Sequence, residues 1–299
     1  MFSIDRLRAL AAVAAHGSIA QAAKTLRLTP SGVSQQLAKL EREAGRPLLE
    51  PQGRSVRLTH AGRVLAGHAD RLLAQLAAAE RDLADLGDDV IGPLRIGGVG
   101  SAVRTLLPRT LAALTAAHPR LTPTVHDGEA VDLLPLLLAG TLDLLLVESW
   151  ANRPLFVPEG VSVQTLTSED AYVAVSADHP LGDRETVGLA ELAGTVWTAC
   201  PPGTEPYEAL LQALRAEDVE PEVRYTLAEH LTQLALVEQG VAAALIPAVS
   251  RGLAPPAVRF LRTRPALRRD IKAAWLTRTA SPPVRACVNM LSGQPTRMS

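Results

Sequence analysis

The chain has 299 residues, 47% of them hydrophobic and only 3% aromatic, and a formal net charge of −1, which is enough apolar material for two or three packed units and too much for a disordered chain. No run of about 18 apolar residues offers a membrane span, the charged start "MFSIDRLRAL" does not suit a secretory signal, and Cys200 and Cys287 cannot build a disulfide framework. A cytoplasmic protein is expected, without structural metal or cofactor, because the scattered His and Cys residues show no metal-ligand spacing.

The small total charge hides a segregation. Residues 1 to 60 carry nine Lys/Arg against four Asp/Glu, whereas residues 61 to 90 carry three against six and residues 91 to 299 eighteen against twenty-one. A basic head on an acidic body is the electrostatic footprint of a nucleic-acid-binding module.

From Ile4 to Ala15 the residues Leu7, Leu10, Ala11, Ala14 and Ala15 recur at spacings of three and four, which predicts a helix ended by Gly17. Ser18 is placed to cap a second helix through Leu26. Thr29 caps a third, with Pro30 at the first helical position, where its missing N–H is harmless. This third helix, to about Ala44, is expected to bury Val33, Leu37 and Leu40. Its other face shows Ser31, Ser34, Gln35 and Lys39, small or hydrogen-bonding side chains that can approach base edges and phosphates. Two helices, a short turn and a polar second helix predict a helix-turn-helix. The following "RPLLEPQGRSVRLT" reads as a hairpin wing turning at Gln52-Gly53, with Arg54 and Arg57 on one side of its return strand.

At this point the sequence resembles the LysR-type transcriptional regulators. The resemblance is carried by "LAAVAAHGSIAQAAKTLRLTPSGVSQQLAKLEREAGRPLLE", "GRSVRLTHAGRVL", "SADHPLGD" and "LVEQGVAAALIPA", and covers essentially the whole chain. It implies that Ser18, Thr29, Ser31, Ser34, Gln35, Lys39, Arg54 and Arg57 serve DNA binding. Two departures bear on base preference: Pro30 stands where the family usually has Gln, and Pro51 where it usually has Arg, and each removes a potential DNA contact.

Thr59 is expected to cap a long helix to about Gly87, in which Leu65, Ala69, Leu72, Leu76, Ala79, Leu83 and Leu86 form a heptad seam suited to pairing two chains. The resembled family pairs its linker helices antiparallel and is commonly tetrameric, which implies a homodimer or homotetramer on an inverted-repeat operator, with RNA polymerase as a further partner and no membrane. The domain reading is a winged helix-turn-helix over 1–60, a linker helix over 61–90 and a two-lobed body over 91–299, α+β overall.

In the body, short apolar segments alternate with helices: "PLRIGGV", "LTPTVHD" and "TLDLLLVES" in one set, "VSVQTL", "AYVAVSA", "VWTA", "EVRYTL" and "VAAALIPA" in another. Alternation at this spacing predicts parallel sheets. "DIKAAWLT" is expected to return to the first sheet before a last helix over Pro282 to Leu291. The resemblance implies a periplasmic-binding-protein-like effector domain, whose ligand sits in a cleft beyond the carboxyl ends of the strands. Candidate cleft residues are Ser101, Glu129, Trp150, Thr198, Cys200, Thr204, Thr226 and Pro247, each at or just after a strand end. Ser101, at a helix start, predicts a seat for an anionic effector.

Three other readings compete. An enzyme is opposed by "GGVGS", which lacks the third glycine of GxGxxG and the GK[ST] ending, and by the absence of GxSxG and HExxH. A solute-binding protein explains the body but not the basic head. A redox-sensing regulator is suggested by Cys200, since the resembled family includes peroxide sensors, yet Cys287 falls on the last predicted helix.

Overall fold

The computed structural model describes residues 2–52, 55–84 and 89–293 and divides into two compact units, Met1–Ala84 and Asp85–Ser299. In the first, helices α1 (Ile4–His16), α2 (Ile19–Leu26) and α3 (Pro30–Ala44) precede strands β1 (Leu49–Gln52) and β2 (Ser55–Leu58), which pair antiparallel, and helix α4 (His60–Ala84) follows. The turns between the helices use left-handed residues, Gly17 at φ 61° and Arg27 at φ 54°. Val33, Leu37 and Leu40 of α3 are buried against Leu7, Leu10 and Val13 of α1. The buried arc of α1 differs from the expected one: Ala9 and Val13 are buried and Ala15 is exposed, because α1 packs against α2, α3 and α4 at once.

The wing is pinned from both sides. Glu41 of α3 accepts the amides of Leu48 and Leu49 at 2.8 and 3.1 Å, and the Thr59 hydroxyl donates to the Pro47 carbonyl at 2.9 Å while accepting the Gly62 amide at 3.0 Å. Gly62 must be glycine, since a Cβ there would lie 2.0 Å from the Leu48 carbonyl oxygen. Along α4 the expected seam divides: Leu65, Ala66 and Ala69 complete the core of this unit, whereas Leu72 is 57% exposed. The side chain of Leu83, and Leu86 altogether, lie outside the described residues.

The second unit is built on one nine-stranded sheet. Strands β3 (Gly92–Gly98), β4 (Leu121–Asp127) and β5 (Leu144–Trp150) are parallel, with α5 (Gly100–Ala117) and α6 (Ala130–Leu138) between them. After β6 (Val161–Ser176) and the short β7 (Thr186–Gly188), the strands β8 (Val196–Ala199), β9 (Glu222–Thr226) and β10 (Ala243–Pro247) form a second parallel set with α7 (Glu205–Arg215) and α8 (His230–Glu238). The long β11 (Val258–Leu276) then runs back, and α9 (Pro282–Ser292) packs on the first lobe. The strand order is β4-β3-β5-β11-β6-β10-β8-β9, with β7 beside β11.

Two corrections to the expected strands follow. "VSVQTL" and "AYVAVSA" belong to the single strand β6, and "DIKAAWLT" is only the second half of β11. The two pair antiparallel along nearly their whole length and form the ribbon that joins the lobes. The charged middles of both strands read as loop in sequence, but each finds a partner across the ribbon: Ser168 donates to Asp270 at 2.6 Å, Arg269 pairs with Glu169 at 2.8 Å and Arg268 with Asp170 at 3.2 Å.

Candidate functional site

The polar face of α3 is arranged largely by local bonds. The Ser18 hydroxyl accepts the Gln21 amide, and the Thr29 hydroxyl accepts the Gly32 amide and lies 3.1 Å from the Ser31 hydroxyl. Both residues are helix caps first. Ser34 donates to the Pro30 carbonyl at 2.9 Å, while Gln35 and Lys39 are exposed with no bonded partner among the described residues. Arg57 is exposed on the wing, its Nε held by Glu50 at 2.7 Å. Arg54 lies outside the described residues.

The acids of the head are all engaged. Asp5 pairs with Arg8, Glu43 with Arg6 and Glu50 with Arg57, and Glu41 caps the wing amides. Lys24, Arg27, Lys39, Arg42 and Arg46 are left without an acidic partner among the described residues, so the positive charge of the head remains available to phosphates. Lys24, Arg27, Arg42 and Arg46 were not among the residues singled out from sequence, because only the structure shows which cations the acids leave unpaired.

In the second unit a cavity of about 250 Å3 opens where the carboxyl ends of strands from both lobes meet. The first lobe contributes Ser101 and Arg104 of α5, Asp127 at the end of β4, Glu129 and Asp132 around the start of α6, and Glu148 of β5; the second contributes Cys200, Glu229 and His230. Arg104 reaches across, donating to Glu229 at 3.2 Å and to the Ser250 hydroxyl at 3.1 Å, and that hydroxyl also lies 3.1 Å from Nδ1 of His230. Close packing behind the cavity requires Gly98, where a Cβ would stand 2.9 Å from that of Leu146.

Of the residues expected in the cleft, Ser101, Glu129 and Cys200 line this cavity. The other five do not. Trp150 packs in the core of the second lobe and donates its Nε1–H to Glu148 at 3.1 Å. Thr198 is fully buried, and Thr204 donates its hydroxyl to the Pro201 carbonyl at 2.7 Å. Thr226 is exposed, and Pro247 is buried within β10 with its backbone in register with Ala171. A position after a strand end leads into a cavity only when its loop turns inward, which strand spacing does not determine. Arg104, Asp132 and Glu229 were missed although each lies one turn from, or beside, a lining residue. Glu148 carried a clearer signal: a charge inside the apolar run "LLLVES" must have a buried partner.

That partner is Arg269 of β11. Its guanidinium, 2% exposed, donates to Glu148 and Glu169, both at 2.9 Å, and Glu169 also accepts the Val249 amide at 2.7 Å. The electrostatics of the cavity follow from this setting. Burial, then the charges of Glu148 and Asp132, push the Glu129 carboxyl up to about 7. Burial, then the charges of Arg269 and Arg104, push His230 down to about 3, so its imidazole is neutral. Burial, then Glu148 and Glu129, raise the Cys200 thiol far above its ordinary value, and burial pushes Cys287 up to about 12. Both shifts favour the protonated thiol over the thiolate. The seat at Ser101, expected to take an anion, faces a wall with five carboxylates and one guanidinium.

Comparison with known proteins agrees with this architecture. Residues 4–63 match the family described as bacterial regulatory helix-turn-helix protein, lysR family, and residues 87–295 match the LysR substrate binding domain. The uncharacterized HTH-type transcriptional regulator YybE of Bacillus subtilis is 25% identical over 260 residues, 86% of this chain and 87% of its own. The DNA-binding transcriptional dual regulator OxyR of Escherichia coli is 31% identical over 198 residues, 64% of this chain and 61% of its own. Full-length CbnR, solved with its target DNA, shares the fold with a TM-score of 0.70 at 23% identity, over 97% of this chain and 98% of that one. With both family domains matched in order along a winged head and a two-lobed body, the chain belongs to the LysR family and is a DNA-binding transcriptional regulator with an effector-binding domain.

Proposed function

We propose that this regulator binds an inverted-repeat operator in double-stranded DNA as a homodimer or homotetramer, and that a small molecule in the interlobe cavity changes the assembly and thereby access of RNA polymerase to the promoter. The observation that carries the DNA reading is the head in which every acid is engaged and, among the described residues, five cations are left free of acidic partners. Ser31, Ser34, Gln35 and Lys39 approach the major groove, and Arg57, Arg42 and Arg46 the backbone. Leu72, exposed on α4, continues a seam that a second copy would cover, and two-fold pairing of heads matches two-fold related half-sites.

The effector reading is supported by a cavity that draws residues from both lobes. Glu148 lines it and also holds Arg269 on the ribbon joining the lobes, so ligand charge is coupled to the hinge. The helix-turn-helix and LysR substrate binding domains support a regulator that works in the cytoplasm, where its DNA is, and not an enzyme. Selection of binding sites from random duplex DNA, followed by footprinting, tests the first part. Two protected half-sites related by a dyad are expected, and a single half-site bound by a monomer overturns the proposal.

A further inference from the structure

We infer that the interlobe cavity receives a small organic cation, a primary ammonium or guanidinium compound, held by Asp127, Glu129 and Asp132 and contacted by the Ser101 hydroxyl. This rests on the effector reading and gives it a ligand class. The lining residues include Asp127, Glu129, Asp132, Glu148 and Glu229 against Arg104 alone, so carboxyl groups outnumber guanidinium groups five to one, with Glu129, at about 7, only partly ionised at neutral pH. Glu229 has Arg104 as partner and Glu148 has Arg269. Among the described residues Asp127, Glu129 and Asp132 have no cation, and an anionic ligand would add to their mutual repulsion. The positive end of α5, roughly half an elementary charge, is too weak to reverse this balance.

Two further features point to a missing partner. Ser101 is only 7% exposed and lines the cavity, yet its hydroxyl has no hydrogen-bond partner among the described residues. Glu148 is 4% exposed, and both Arg269 and Trp150 donate to its Oε2, while Oε1 has no donor among the described residues. Both oxygens line the cavity as acceptors without a donor among those residues, and an N–H-rich cation supplies donors to both. The volume of about 250 Å3 calls for a compact molecule, below the roughly 300–1,000 Å3 usual for drug-sized ligands.

The test titrates the full-length chain with agmatine and putrescine, with succinate and benzoate as matched carboxylates and with calcium chloride, by calorimetry and thermal melting. At least one amine is expected to bind, to raise the melting temperature, and to bind more weakly as salt increases. Glu129→Gln combined with Asp132→Asn should weaken amine binding by about tenfold or more, and Ser101→Ala by a smaller factor, as expected for lost bonds to a charged group. The salt dependence of the wild type keeps the test decisive if the variants fold poorly. Binding of a carboxylate or calcium in place of any amine, or of none of these probes at millimolar concentration, overturns the inference. A DNA footprint separates the two readings: a carboxylate that binds and alters the footprint keeps the effector reading and removes the cation, whereas an amine that binds without altering it does the reverse.

Discussion

At Glu129, burial and two neighbouring carboxylates tie the stability of the effector domain to pH. Its folded pKa of about 7 lies above the ordinary 4.5, so the folded state holds the proton more tightly than the unfolded one. The resulting penalty is absent below about pH 4.5, grows as pH rises to about 7 and is complete above that. Glu129→Gln should therefore stabilise the protein at pH 8 by about 1–2 kcal/mol, after allowance for partial exposure. Urea unfolding from about pH 4 to pH 8 checks this, and an equal gain at both ends would exclude a charge effect. The same attention to partners ranks the DNA-facing residues. Among the described residues Lys39 has no acidic partner, whereas Arg57 is held by Glu50, so Lys39→Ala should flatten the salt dependence of DNA binding by about one unit and Arg57→Ala by less. Gln35→Ala should instead alter base preference at one position, by on the order of 1–3 kcal/mol in a binding-site selection.

The elements of the head are held by a few close contacts more than by strand length. The wing strands are four residues each, too short to be stable alone, and their position depends on Glu41, on the Thr59 cap and on the approach of Leu48 to Gly62. Gly62→Ala places a methyl group against a backbone carbonyl that cannot move without shifting the wing. A loss of roughly 1–3 kcal/mol is expected, together with weaker binding to all DNA sequences because the wing is displaced relative to α3. Melting of the variant and its affinity for specific and random duplexes measure both effects; an unchanged melting temperature would show that the wing is not held by this contact. Helix α4 illustrates a division within one element. Its first turns complete the head core, whereas Leu72 further along is exposed.

Across the whole effector domain, one buried ion network links the cavity wall to the ribbon that joins the lobes. Arg269 satisfies Glu148 in the cavity wall and Glu169 on the ribbon at once. Removing it leaves two buried carboxylates without their cation, so Arg269→Met should destabilise the domain by about 3–5 kcal/mol. The further replacement of Glu148 and Glu169 by Gln should recover much of that loss, since no buried charge would then be unpaired. Chemical denaturation of the single and triple variants decides the matter. A triple variant as unstable as the single one would show that packing, and not charge pairing, is the function of Arg269.

Much of the architecture was legible along the chain because the signals that specify it are local. Caps at Ser18 and Thr29, Pro30 at a helix start and the 3–4 spacing of Val33, Leu37 and Leu40 depend on residues within one or two turns of each other, and alternation of apolar segments with helices is enough to indicate parallel sheets. The ribbon of β6 and β11 was not legible in the same way. Its strand-breaking runs "TSED" and "RRD" become strand only when each supplies the other's partners, about a hundred residues apart in sequence. The cavity divides along the same line. Ser101, Glu129 and Cys200 could be proposed from strand ends, but their company of carboxylates, and hence the sign of the charge they offer a ligand, arises from convergence of two lobes. Local capping and periodicity act over a few residues of chain. Coulomb interactions act through space, and only the tertiary structure decides which charges are left without a partner.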